Sequence, residues 1–411
     1  MLTSRQRSLL ISSSGGFFIW GIVASMAPLS LSWPFVNGSD PLVRVLVLSA
    51  GPAGLLAGNF IMGLLSDAFG RRRIFIATMA MYGIGIVLIS IATTFPLLLA
   101  GVVVSSFGVG GEEAPSLALI AEDVPVKQRG RLLTLIPNFN NIGSAFAAAF
   151  FLFSVSGAVF IERAYLLVSS LAIMALLVFT RMKMPESFRW LHSRGREEDA
   201  ENEKSGLDIG PEGESVSLPP LWKSYILLSV LGVSQFLTFG LMAFVLGPDE
   251  FPSQTALIIF VALAGASISG FVAAPLVSRG RRSYTLISFG GGFVTIVAIL
   301  IAFNSLSNEY VFLPLLFLNM AFSEFAWAAR TTLEPELFPT AIRGTGIGLV
   351  RVVPIIAYIA SIVLLSNTGL FDFVLINVIL WGVGLAAATY WYFRGVETSN
   401  ISPDFKGADN V

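Results

Sequence analysis

The 411-residue chain contains no cysteine, which excludes disulfides, thiolate metal sites and thiol nucleophiles together. Its only histidine, His192, falls in a polar segment and reads as loop. Charge is scarce too: 12% of residues are Asp, Glu, Lys or Arg, about half the share in a soluble domain. The 25 basic and 26 acidic residues nearly cancel, leaving a net charge of -1. No global basic field points to nucleic acid. There is no Gly-x-x-x-x-Gly-Lys-[Ser/Thr], no Gly-x-Ser-x-Gly and no His-Glu-x-x-His. An ATP motor of that kind and the common hydrolase and zinc-protease sets are therefore missing. Neither an enzyme nor a metal or cofactor is expected.

What the chain has is apolar length. It is 55% hydrophobic, with a mean hydropathy of +0.79. A helix needs about 20 apolar residues to cross a bilayer. Twelve such runs lie near Leu9–Phe35, Leu42–Leu65, Ile74–Ala92, Leu97–Ala121, Leu132–Val155, Ala164–Phe179, Ser224–Leu246, Thr255–Val277, Tyr284–Phe303, Val311–Thr331, Thr345–Leu365 and Phe371–Phe393. With both termini inside, 23 of the 25 Lys and Arg residues fall on the cytoplasmic side. Only Arg44 and Arg163 fall outside. That asymmetry predicts a cell-membrane protein with cytoplasmic termini. The first run is too long for a signal h-region and reads as an uncleaved span. Trp33, Trp190, Trp222 and Trp391 lie near span ends and read as interface anchors.

Lys183–Lys223 is the longest polar stretch, and its acid-rich part, Ser193–Pro220, reads as a solvated linker. It divides six spans from six. Short patterns recur across it. Glu122-x-x-Pro125-x-x-x-Arg129-Gly130 is repeated as Glu336-x-x-Pro339-x-x-x-Arg343-Gly344. Gly70-Arg71-Arg72 returns as Gly280-Arg281-Arg282, and Glu186-Ser187 as Glu397-Thr398. The expectation is an all-α membrane protein of twelve transmembrane helices in two pseudo-symmetric six-helix bundles, 1–182 and 223–394. A linker, 183–222, joins them, and a tail, 395–411, follows. Transporters built from such repeats place their substrate near the midplane.

Ionisable groups inside spans are costly, so they default to function. Glu112 and Glu113 lie near the middle of the fourth run, on different helix faces. One is expected to face a cavity and the other a neighbouring helix. A carboxyl balanced between burial and a nearby cation binds and releases protons as access switches. The fifth run offers Asn138, Asn140 and Asn141, and Asn141 is deep enough to share a layer with Glu112. The seventh offers Gln235; the tenth Asn319, Glu324 and Trp327, with Arg330 a turn beyond; the first Trp20 and Ser25. A lone asparagine here serves equally as interhelical glue.

Acids and bases at span ends suit contacts that form in one state and break in another. The pairs expected are Asp67 with Arg71–Arg73, Glu122 with Arg129, Glu336 with Arg343 and Glu186 with Arg189. In order along the chain, Gly63-Leu64-Leu65-Ser66-Asp67-Ala68-Phe69-Gly70-Arg71-Arg72-Arg73, Pro185-Glu186-Ser187-Phe188-Arg189-Trp190-Leu191 and Pro335-Glu336-Leu337-Phe338-Pro339-Thr340-Ala341-Ile342-Arg343-Gly344 resemble the major facilitator superfamily. The resemblance is closest to its sugar-porter branch and that branch's niacin, synaptic-vesicle-glycoprotein-like and organic-ion relatives. It implies a cytoplasmic latch of Asp67, Arg71, Arg72, Glu122, Arg129, Glu186, Arg189, Glu336, Arg343 and Arg351. The sequence departs from the pattern in three places. Val277 stands where the second half would repeat Asp67, the outer half of the fourth run has no arginine, and Gln235 is single.

The function expected is secondary transport of a small polar metabolite, such as a sugar or organic acid, by alternating access. Proton symport is the preferred coupling. An exporter or uniporter of the same fold is the alternative, and a non-transporting membrane sensor the rival from another class. The expected partners are the substrate, protons and lipid, with no nucleic acid and a monomeric state.

Overall fold

The computed structural model describes residues 2–36, 40–153, 158–182, 184, 186–207, 218–366 and 368–399. Lys183, Pro185, the linker segment 208–217 and the tail from 400 onward lie outside the described residues. Among the described residues twelve helices are long and apolar enough to cross a bilayer. They are α1 (Ser4–Ser30), α2 (Pro41–Phe69), α3 (Arg71–Ile91), α4 (Phe95–Asp123), α5 (Val126–Phe153), α6 (Val159–Met182), α7 (Leu221–Glu250), α8 (Pro252–Val277), α9 (Arg281–Ile301), α10 (Glu309–Glu336), α11 (Arg343–Leu365) and α12 (Leu370–Arg394).

Local chemistry sets the ends. Thr3 and Gln6 form a capping box on α1. Asp40 accepts from Leu42 N–H, with Pro41 opening α2. Between α2 and α3 the chain turns on Gly70, whose φ of 97° suits glycine. Two spans are irregular inside. α5 breaks at Pro137, which lacks an N–H and turns the chain between Leu135 and Phe139. α7 widens into a π-turn at Leu241–Val245. Such irregular backbone is tolerated within a membrane only where protein or a cavity surrounds it.

The packing repeats. Within the first six spans α1 lies on α5, α4 and α6, and α4 lies on α2 and α3. Within the last six, α7 lies on α11, α10 and α12, and α10 lies on α8 and α9. Two seams join the groups, α2 against α11 and α5 against α8, and these are equivalent pairs under the repeat.

Part of the expected linker is ordered. Helices Phe188–Ser193 and Glu197–Ser205 pack together through Trp190, Leu191 and Ala200. The tryptophans also differ from expectation. Trp222 is exposed, but Trp33, Trp190 and Trp391 are buried. Trp33 donates to Glu162 (2.7 Å), and Trp190 donates to the Asp67 carbonyl (2.8 Å). The Trp33 and Trp190 N–H groups thus find partners inside the protein, so these two rings pack inward rather than standing on the outer surface.

Candidate functional site

Two polar assemblies lie on the axis between the groups. The first is at the face carrying the α2–α3, α4–α5, α8–α9 and α10–α11 connections. Glu186 accepts from the first N–H groups of α3, Arg71 (2.9 Å) and Arg72 (3.2 Å). Glu397 does the same for α9 at Arg281 (2.7 Å) and Arg282 (3.3 Å). A carboxylate at a helix N-terminus satisfies orphan donors and meets the positive end of the dipole. Burial raises the Glu186 carboxyl above its ordinary range, and the backbone N–H groups pull it partly back. Glu186 thus holds α3, a different role from the expected pair with Arg189, whose Nε donates to the Glu122 carbonyl (3.2 Å).

The remaining charges cross the seams. Arg343 Nη1 lies 2.9 Å from Glu122 Oε1, and Arg129 Nε lies 3.4 Å from Glu336 Oε1. The structure therefore exchanges the two expected within-repeat pairs, each arginine reaching the carboxylate of the other group. Arg71 (3.4 Å) and Ser187 add to Glu122; Arg281 (2.7 Å) and Thr398 (2.6 Å) add to Glu336 in the same pattern. Asp67 stands outside this symmetry. Its Oδ1 meets Arg71 (3.1 Å), while Oδ2 accepts from both N and Oγ1 of Thr345 (2.7 Å each), in the first turn of α11. Val277 at the repeated position explains why this bond occurs once.

The second assembly lies deeper. Arg351, expected in the outer latch, instead pairs with Glu113 and with Glu334 (2.6 Å). Arg330 meets Glu334 (3.1 Å) and donates to Gln235 Oε1 (2.6 Å). Two carboxylates and two guanidiniums balance there. A cavity opens over them, bounded by Trp20, Trp327, Phe236, Phe239, Gln235 and Asn140. Trp20 and Trp327 meet edge to face with centroids 6.1 Å apart. Asn140 is 5% exposed, and among the described residues its Nδ2 has no hydrogen-bond partner. Beyond the aromatic rings the space continues as an apolar pocket past Val23, Leu48, Phe244 and Tyr358. At the opposite end Arg44 and Asp249 form a partly exposed ion pair (3.3 Å) between α2 and α7.

The geometry divides the residues singled out from sequence. Glu113, Gln235, Trp20 and Trp327 line the cavity. Glu112 points away, to Arg181 on α6 (2.6 Å), over Gly16, where a side chain would collide with it. Arg181 thus leaves the expected cytoplasmic charge set for the interior. Asn319 joins α10 to α9 through Gly292 O (3.2 Å) and Thr295 (2.9 Å). Asn141 does not share a site with Glu112: it donates to Glu324 across the seam (2.6 Å). Asn138 donates to Ser267 O of α8 (2.9 Å). Glu334 was missed, although its spacing of four from Arg330 on one helix was a signal for it.

Comparison with known proteins decides the family. The family model described as Major Facilitator Superfamily matches residues 9–354. The chain belongs to the Major Facilitator Superfamily. It is 30% identical over 229 residues to the minor myo-inositol transporter IolF of Bacillus subtilis (strain 168), covering 55% of this chain and 50% of IolF. The chain thus matches about half the length of that relative. It is 28% identical over 301 residues to the putative niacin/nicotinamide transporter NiaP of the same organism, covering 73% of this chain and 72% of NiaP. The structure of the proton:xylose symporter XylE from E. coli superposes with a TM-score of 0.76 at 18% identity, covering 98% of each chain, and shares the fold. This superfamily member has twelve candidate membrane spans among its described residues, and the relatives it matches are named as transporters.

Proposed function

We propose that the chain is a proton-coupled symporter of a small aromatic monocarboxylate, carried through the central cavity by alternating access. The units that rock are 1–182 and 223–394, the termini are cytoplasmic, and the crossed arginine network is the cytoplasmic latch. One observation carries the substrate reading: an aromatic chamber set over two guanidiniums. Trp20, Trp327, Phe236 and Phe239 offer flat apolar walls, and Arg330 and Arg351 lie at the base. A polyol needs many neutral donors and acceptors; the described lining supplies the amides of Gln235 and Asn140, the hydroxyls of Ser106 and Tyr358 and the indole N–H groups of Trp20 and Trp327, and the groups at the base are charged. A planar ring bearing one carboxylate matches such walls and the geometry of an arginine fork. The names of the relatives include a niacin carrier, and niacin is a pyridine carboxylate.

Proton coupling follows from charge balance. Glu113 and Glu334 already neutralise Arg330 and Arg351. An incoming carboxylate leaves one excess negative charge in a poorly solvated site, and a proton entering with it removes the cost. The apolar extension past Val23, Leu48 and Phe244 favours the second reading, a proton-coupled exporter of larger amphipathic compounds.

Thermal stabilisation of purified protein tests both. Nicotinate should raise the Tm, nicotinamide less, and myo-inositol and xylose not at all. Uptake into proteoliposomes should then follow the same order and respond to a pH gradient. Stabilisation by xylose or myo-inositol without nicotinate overturns the carboxylate reading. Stabilisation only by bulky apolar cations supports the exporter.

A further inference from the structure

Most carboxylates buried in the spans have a guanidinium partner. Glu112 has Arg181, Glu113 and Glu334 share Arg351, Glu122 has Arg343 and Glu336 has Arg281. Asp123, at the end of α4 rather than within it, makes no ion pair among the described residues, and Glu122 and Glu186 lie near it as well as Arg189. Glu324 differs. It is 1% exposed and lies twelve positions inside α10 from Glu336. Its side-chain hydrogen bond is the one from Asn141 Nδ2, 2.6 Å away. Among the described residues no Lys, Arg or His lies within ion-pair distance of it.

The surroundings are polar but uncharged. From α5 come Asn141 and, bonded to it (3.0 Å), Asn138. On α8 the Ser267 carbonyl is occupied by Asn138. Tyr284 of α9 is the titratable side chain near enough to feel the Glu324 charge. Ser323 takes a long contact (3.5 Å) from Gln235 of α7, which in turn holds Arg330. A bare carboxylate buried there would have no counter-charge, and such a charge inside a span is costly. The carboxylic acid, by contrast, fits: it needs only the donor it has.

We propose that Glu324 is the proton-carrying carboxyl of the transport cycle, released and recaptured as its contact with Asn141 across the seam breaks and reforms. The inference rests on the proton-coupled reading above and names its site. Asn141 sits twelve positions beyond Arg129 on α5, as Glu324 sits twelve before Glu336 on α10, so both lie at similar depth behind the crossed arginines. With that face closed, the acid is sealed from water. Opening it carries α5 away from α8 and α10, removes the amide and admits water. The acid then ionises, giving a hydrated carboxylate and a free proton. Closing the seam over the carboxylate is unfavourable until a proton returns.

The test has an arm that needs no transported substrate. Infrared difference spectroscopy of the purified protein across a pH titration should show a carboxylic-acid carbonyl band surviving to neutral pH. Glu324→Gln should remove its own component of that band, and Glu112→Gln should leave that component in place. No band in the wild type, or a band lost in Glu112→Gln and kept in Glu324→Gln, overturns the assignment. Size-exclusion elution establishes that each variant is folded. In proteoliposomes with nicotinate as probe, the ratio of uptake with a pH gradient to uptake without should fall to about one in Glu324→Gln. A ratio equal to the wild-type value overturns the proposal. Absence of nicotinate uptake by the wild type would sink the substrate reading, while the infrared result still decides the proton site.

Discussion

Arg343 at the start of α11 reaches Glu122 at the end of α4 across the seam, with 2.9 Å between Nη1 and Oε1. Arg129 makes the mirrored crossing to Glu336 at 3.4 Å. Each arginine belongs to one group of helices and is neutralised by the other, so the groups cannot part on this face without separating both pairs. Removing one partner of a dry pair is severe. Here the parted charges meet water, so each crossing contributes a modest bias of about 1–3 kcal/mol.

Arg343→Ala should therefore favour opening at this face. The chain has no native cysteine, so Asn59→Cys on α2, beside Gly348 of α11, provides a single probe inside the seam. Its labelling by a membrane-impermeant maleimide should accelerate about tenfold in Arg343→Ala, equivalent to ~1.4 kcal/mol. Arg129→Ala should act to a similar extent. Labelling at the parent rate in both variants would show that the crossings do not hold the face shut.

Asp67→Asn should leave membrane insertion intact and slow transport. The carboxylate receives two hydrogen bonds at the N-terminal turn of α11 and also pairs with Arg71. Asparagine keeps one acceptor and loses the charge that complements the helix dipole. Thr345→Val, which deletes only the hydroxyl donor, should have a smaller effect. Nicotinate flux per correctly inserted molecule measures both, and wild-type flux in Asp67→Asn counts against the role.

The Arg44–Asp249 pair at the opposite end should be far weaker. Its side chains are 34% and 13% exposed, and such pairs are worth about 0–1 kcal/mol. Asp249→Asn should raise labelling of Phe244→Cys from that side by no more than about fivefold. The difference should vanish in about 1 M salt, where the Debye length is about 3 Å. A large, salt-insensitive effect would mean that this contact is part of a buried lock.

Glu186 supplies a pH dependence outside the spans. Its raised carboxyl means that, between the ordinary Glu value of 4.5 and the raised one, the folded state binds more protons than the unfolded state. Stability from this group is therefore present at low pH and is lost as pH rises through that window. The Tm of the wild type relative to Glu186→Gln should rise as the pH is lowered from neutral toward that value, and then level off. A difference that shrinks on acidification would mean that the backbone N–H bonds outweigh burial.

Hydropathy and charge are written locally, so the sequence alone determined the twelve spans, the repeated Glu-x-x-Pro-x-x-x-Arg-Gly elements and the family resemblance. It also determined that Glu112 and Glu113 must point apart, because neighbours on a helix differ by about 100°. Partner choice is not local. The tertiary structure decided that Arg343 crosses to Glu122, that Arg351 drops to the cavity floor and that Arg181 folds inward to Glu112. It also decided that Glu324 meets an amide and no cation. Apart from Arg351 and Glu334, 17 positions apart, those partners lie between 69 and 238 positions apart along the chain. Which guanidinium a carboxylate finds depends on how whole helices pack, and a span's own composition carries no record of the helix that will lie beside it.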